Sequence, residues 1–183
     1  MKAPNAVERR ELLTRDMDNK KAGEIHCLGC SGPCCTFRSN SMQMTPLETL
    51  DLLDFLKSKK RWTEELRHQL QECVTEFRLD YDLDTGGGHN FRRTYTCPFF
   101  TPGPKGCSIE PNSKPYGCLG FNPQAKNISD GENCGADQEL LLARDKRYAE
   151  SEALANQALI ERYALDWQKK AIPNALLALD KEV

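Results

Sequence analysis

The chain of 183 residues lacks most of the features that announce a function. No apolar run approaches the roughly 18 residues that a membrane span needs, so no spanning helix is expected. Met1-Lys2-Ala3-Pro4-Asn5 leads into Glu8-Arg9-Arg10-Glu11 instead of an apolar stretch. A secretory leader is therefore not expected, and a cytoplasmic location is. Excess charge of one sign is missing too. The formal net charge of −2 gives no global attraction to nucleic acid or to an anionic membrane. There is no Ser-His-Asp order, no convincing carboxylate pair and no His-Glu-x-x-His, so hydrolysis has no candidate residues. The glycine triplet of Asp84-Thr85-Gly86-Gly87-Gly88-His89-Asn90 lacks the Lys-Ser/Thr ending and the following helix of a phosphate loop. Asn127-Ile128-Ser129 fits a glycosylation acceptor, but without secretion it is a chance match. No internal repeat stands out.

What the chain has is cysteine, nine of them. Four lie in Cys27-Leu28-Gly29-Cys30-Ser31-Gly32-Pro33-Cys34-Cys35, among small, turn-forming residues. Cys73, Cys97, Cys107, Cys118 and Cys134 follow. In a reducing compartment stable disulfides are rare, and an odd count with an adjacent pair fits metal ligation better. A Cys-x-x-Cys turn brings Cys27 and Cys30 within reach of one ion, and Gly32 and Pro33 return Cys34 and Cys35 to the same region. Thiolates are soft donors that select zinc or iron–sulfur centres over magnesium or calcium. Adjacent cysteines close a strained ring on a single ion, so Cys34 and Cys35 are expected to serve different metal atoms. With Cys97, Cys107, Cys118 and Cys134 the candidates number eight. That suffices for two four-thiolate sites, or for one iron–sulfur cluster and a zinc. His26 and His89 adjoin the two groups, and whether either ligates is left open.

The remainder reads as mostly α with little β: a helical scaffold around an irregular cysteine-rich region, with a long C-terminal helix. Residues 1–183 are expected to form a single domain, with a metal-binding region at 25–135 and a helical segment at 136–183. Residues 4–22 suggest a first helix with apolar points at Val7, Leu12, Leu13 and Met17. Thr45, Pro46 and Glu48 form a capping-box start for a second. Leu47, Leu50, Leu53 and Leu56 form its stripe, widened by Leu52 and Phe55. Lys57-Ser58-Lys59-Lys60-Arg61 reads as its solvated end. A third helix begins at Thr63 with Leu66, Leu70, Cys73 and Phe77 on one face. Cys73 belongs to that stripe and is read as core. Residues 91–100, rich in Thr, Tyr and Phe, suggest a strand or two. Residues 101–135 are irregular backbone, costly to order without a crosslink. The periodicity of Leu140, Leu141, Ala143, Tyr148, Leu154, Ala155, Leu159, Tyr163 and Trp167 predicts one helix over 136–171, ended by Pro173, with a turn or two beyond.

The motif Cys-x-x-Cys-x-Gly-x-Cys-Cys, followed by Cys97-Pro98-Phe99, Gly106-Cys107-Ser108-Ile109 and Pro115-Tyr116-Gly117-Cys118, resembles the YkgJ-type cysteine-cluster family. The resemblance covers about residues 25–122, including the helix opening Thr45-Pro46-Leu47-Glu48. It implies a zinc- or iron-chelating domain, whose members are sometimes called iron–sulfur oxidoreductases. The chain has Ile109-Glu110 and Lys114-Pro115 where the family usually has Ile-Tyr and Arg-Pro, so a bidentate guanidinium is replaced by a point charge. Cys134 lies beyond the matched part.

Three functions follow as expectations. The first is a structural metal module presenting helices to a protein partner. The second is a redox protein carrying an iron–sulfur cluster. The third, by analogy with flagellin lysine methylases that carry a similar cysteine cluster, is a modifying enzyme.

Overall fold

The structure is a computed structural model that describes residues 4–25, 32–81, 83–84, 90–102, 106–126 and 134–182. Several residues singled out from the sequence lie outside them: His26, Cys27, Cys30, the glycine triplet, His89 and the Asn127-Ile128-Ser129 sequon. The described residues form a mostly α fold with six α-helices and four two-stranded antiparallel pairs. None of these helices is long and apolar enough to cross a membrane.

Helix α1, Ala6–Ala22, starts from a capping box in which the Asn5 side chain accepts from Glu8 N and Glu8 reaches back to Asn5 N. Helix α2, Pro46–Ser58, opens with the expected Thr45/Glu48 box and Pro46 in its first turn. Helix α3, Glu64–Glu76, is capped by Thr63, whose hydroxyl accepts from Leu66 N. Helix α4, Tyr116–Leu119, is a single turn, α5 runs Gln138–Arg162 and α6 runs Ile172–Asp180.

The apolar core lies where α6 packs on α2 and α3. Leu52, Leu53, Leu56, Leu70, Leu176 and Leu179 are all fully buried there, joined by Val74, Ile172 and Ala175. Burying a Leu side chain contributes on the order of 1.5–3 kcal/mol, so these residues carry much of the fold. Cys73 sits in this core, its thiol donating to Thr96 O at 3.4 Å. The carboxylate of Asp180, at the end of α6, accepts from Trp62 Nε1 at 2.8 Å and Arg67 Nε at 3.0 Å, which ties α6 to the α2–α3 corner.

Most of residues 91–100, expected to form a strand or two, makes no ladder. Strand pairing is limited to Asn90–Phe91 at one end and Phe100–Thr101 at the other. Tyr95 takes the place of a ladder. Its hydroxyl donates to Met42 O at 2.7 Å and accepts from Ile172 N at 3.2 Å, and its N–H donates to Asn40 O. One buried phenol thus ties three chain segments together.

The helix expected over 136–171 is corrected in three respects. It ends at Arg162, and Pro173, expected to end it, instead occupies the first turn of α6. Its apolar stripe is buried only in part: Tyr148 is buried and Leu154 is exposed, whereas the charged Arg144 and Glu152, four residues to either side of Tyr148, are buried. Trp167, expected on the same stripe, packs into the core from the connection to α6.

That polar face of α5 meets a second polar surface on α1. Arg9 and Arg10 are almost wholly buried, and both bind the Asp51 carboxylate of α2, at 2.5 and 2.7 Å. Arg144 pairs with Glu152 and donates from Nε to Arg9 O at 3.2 Å. One side of the molecule is therefore held by apolar packing and the other by a buried ionic layer joining α1, α2 and α5.

Candidate metal centre

The site assembles from short segments that bring one or two cysteines each. Gly32 adopts a left-handed conformation, φ 69°, and Pro33–Cys35 follows as a single 3₁₀ turn. The turn expected from Gly32-Pro33 is thus present. A Cβ at Gly32 would fall 2.0 Å from Phe100 Cζ, so glycine is required here by backbone and by space. The chain then reaches the late cysteines directly: Cys97 N donates to Cys35 O at 2.8 Å.

Cys97 begins a tight turn in which Phe100 N donates to Cys97 O. Phe100–Thr101 then pairs with Gly106–Cys107, placing Cys107 opposite Phe100. Cys118 rides on α4, where Cys118 N donates to Pro115 O. Gly117 lets this turn press against Met42, whose Cε would lie 2.6 Å from an added Cβ. Cys134 returns by pairing of Cys134–Ala136 with Phe121–Pro123, opposite Pro123.

The outcome is a cavity of about 910 Å³ lined by Cys34, Cys35, Cys97, Cys107, Cys118 and Cys134. These are all six described members of the eight candidates. Cys73 is not among the lining residues. Among the described residues, no three His, Cys, Asp or Glu side chains are grouped so as to hold a metal ion. The six thiols share one cavity without forming a finished coordination shell, and Cys27 and Cys30 lie outside the described residues.

Burial pushes the Cys97 thiol up to about 12. It pushes Cys118 well up as well, reinforced by the neighbouring Cys97 and Cys107 sulfurs. Cys34 is raised first by its hydrogen bond with the Cys35 thiol and then by burial. Opposing these effects, the Lys114 ammonium favours the thiolates of Cys34, Cys97 and Cys118. Left to themselves these thiols are neutral at physiological pH, and a metal would have to displace their protons. The donor set is soft, polarisable sulfur throughout, which fits zinc or an iron–sulfur cluster and excludes magnesium and calcium.

A frame of hydrogen bonds and stacked guanidinium groups holds α4. Tyr116 N donates to Glu48 Oε1 at 2.9 Å, and Tyr116 Oη donates to Glu152 Oε1 at 2.6 Å. The guanidinium groups of Arg144 and Arg10 lie over the Tyr116 ring, 3.5 and 4.8 Å from its centroid. Arg10 Nε also donates to Lys114 O at 2.7 Å. The buried ionic layer thus grips both residues flanking Pro115, three positions ahead of Cys118. The one sequence signal for it is the four-residue spacing of Arg144, Tyr148 and Glu152.

No family model matches the chain, and neither a curated protein nor a solved structure does. The chemistry of the cavity must therefore be argued from its own residues.

Proposed function

We propose that the chain is a metal-binding cysteine-cluster protein of the YkgJ type. Its ligands are drawn from Cys27, Cys30, Cys34, Cys35, Cys97, Cys107, Cys118 and Cys134. One observation supports the reading above all others. Six cysteines from five separate chain segments line a single cavity, whereas Cys73, the one the spacing set aside, is buried in the core.

Bound zinc would supply a structural crosslink, and a bound iron–sulfur cluster would supply electron transfer. The residues' own contributions are definite in either case. The 3₁₀ turn presents Cys34 and Cys35, which as neighbours serve different metal atoms. The Lys114 charge offsets part of the negative charge that four or more thiolates bring into a half-buried space. The Tyr116 frame fixes the approach of Cys118.

The test is to purify the protein without air or added metal and to measure iron, sulfide, zinc and the visible spectrum. Brown protein with sulfide assigns an iron–sulfur cluster, and colourless protein with stoichiometric zinc assigns a structural site. Cys118→Ser and Cys34→Ser are expected to lower metal content, and Cys73→Ser to leave it unchanged. Chelation is expected to abolish near-ultraviolet dichroism from the cysteine-rich half while most helical signal survives. A wild-type protein that is metal-free and takes up neither metal on reconstitution overturns the reading.

A further inference from the structure

The cavity is far larger than a metal centre requires. Zinc–sulfur bonds are about 2.3 Å long, so thiolate-held atoms fill only a small part of 910 Å³. That volume falls in the range of pockets for small organic molecules, about 300–1,000 Å³. The rest of the wall is predominantly apolar, with Met42, Phe100, Ile109, Phe121, Leu141 and Ile172 contributing.

The polar groups in the wall divide sharply by charge. Its three carboxylates among the described residues, Glu48, Asp145 and Glu152, are already engaged. Glu48 accepts from Thr45 N and Tyr116 N, Glu152 accepts from Tyr116 Oη and pairs with Arg144, and Asp145 pairs with Arg144. Asn156 is spoken for as well, since its Oδ1 accepts from Leu47 N at 2.9 Å. The groups without an acidic partner among the described residues are cations. Lys21, Arg92 and Lys169 are exposed at the margin, and Lys114 is half-buried within. A ligand entering this space finds apolar surface for its body and positive charge for its head.

We infer that the cavity holds, beside the thiolate centre, an amphipathic organic anion whose charged head meets Lys114 and whose apolar body lies along α5 and Met42. Lysine is a point charge without the fork of arginine, so carboxylate and phosphate heads are both accommodated. The inference goes beyond metal binding, and it does not depend on which metal the thiolates take. Lys114 also faces three of the thiols, so the test must separate a ligand-binding cation from one that only offsets their charge.

The probes are octanoate, octyl phosphate, octanol and octylamine, which share one apolar body and differ in the head. They are titrated calorimetrically, below their aggregation concentrations, into the full-length protein as purified, with metal content measured on the same sample. Octanoate, octyl phosphate or both are expected to bind at least about tenfold more tightly than octanol and octylamine. Binding by only one of the two anions identifies the head. Lys114→Met is expected to remove that preference. Ala153→Trp, at an exposed α5 position in the wall, is expected to block all binding while metal content stays at the wild-type level. Equal binding of all four probes, no binding by any, or a preference for anions that survives Lys114→Met overturns the inference. A metal-free wild-type protein would count against the metal reading alone, because the four titrations remain readable on it.

Discussion

The backbone N–H of Cys97 donates to the carbonyl of Cys35 at 2.8 Å. This single bond joins the early cysteine cluster to the late one across more than sixty residues of intervening helix and loop. It involves main-chain atoms only, so the two halves of the site meet whether or not their sulfurs share a metal. Its geometry depends on the turn just before it, where Cys35 N donates to Gly32 O at 2.8 Å.

Gly32→Ala tests that dependence. A left-handed conformation in a non-glycine residue costs about 1–2 kcal/mol, and the new methyl would also run into the Phe100 ring. A loss of about 2–4 kcal/mol in urea unfolding is expected from strain and overpacking together, with reduced metal retention. Gly135→Ala is the control, because nothing lies within 4 Å of its added Cβ and its φ is not positive. Equal stability of the two variants would show that the turn is not under this constraint.

Helix ends explain where the sequence was readable and where it was not. Starts were legible because their signals are local: Thr45 with Glu48, and Thr63, cap as expected. Stops were harder. Four helices end with a non-glycine residue at positive φ: Glu24, Lys60, Arg78 and Ala164. In each case the next residue's N–H reaches five residues back, as Leu165 N does to Ile160 O. Glycine, the usual mark of such an end, is absent from all four positions, so the helical periodicity seemed to run on to residue 171. The buried Arg9, Arg10, Arg144 and Glu152 were illegible for a different reason. Arg9 and Arg10 find Asp51 on another helix, and Arg144 and Glu152 pair eight residues apart on α5; a charge buried only by what other elements pack over it reads as surface. The cysteine cavity was legible in outline because clustered cysteines stand out by residue type and spacing. Its finer geometry, set by hairpins and the single turn of α4, was not.

Ala164→Gly follows from those helix ends. Glycine adopts φ 48° without a Cβ penalty, while adding freedom to the unfolded chain. The net expectation is a gain of about 0.5–1 kcal/mol in unfolding free energy, with metal content unchanged. A loss of stability would mean that the Ala164 methyl makes a contact worth more than the strain.

Cys73 provides a pH signature separate from the candidate ligands. Burial, with Glu76 adding to it, pushes its thiol up to about 12. The folded protein therefore keeps a proton that the unfolded chain releases above its ordinary pKa, about 8.5–9. The associated stability is fully present below that value and is lost as pH rises toward 12, by at most about 1.4 kcal/mol per pH unit. Urea unfolding of the reduced protein between pH 8 and 11 should show a steeper decline in the wild type than in Cys73→Val. Parallel curves would contradict the raised pKa.

The buried ionic layer gives the largest expected effect. Glu152 accepts from Tyr116 Oη and pairs with Arg144, whose guanidinium lies over the Tyr116 ring and is almost wholly buried. Glu152→Gln removes the only carboxylate among the described residues that pairs with that guanidinium apart from the exposed Asp145. Leaving a buried charge without its partner costs about 3–5 kcal/mol, enough to threaten a domain whose total stability is about 5–15 kcal/mol. Tyr116→Phe keeps the ring under Arg144 and loses one hydrogen bond to a charged acceptor, a cost of about 1.5–3 kcal/mol. Because Tyr116→Phe removes and Glu152→Gln weakens the same bond, the double variant should lose less than the sum, with a coupling of about 0.5–3 kcal/mol. The frame also holds the turn that carries Cys118, so both single variants should release metal faster to a chelator than Ala164→Gly does. Additive stabilities with unchanged release rates would show that the layer braces the helices without bracing the site.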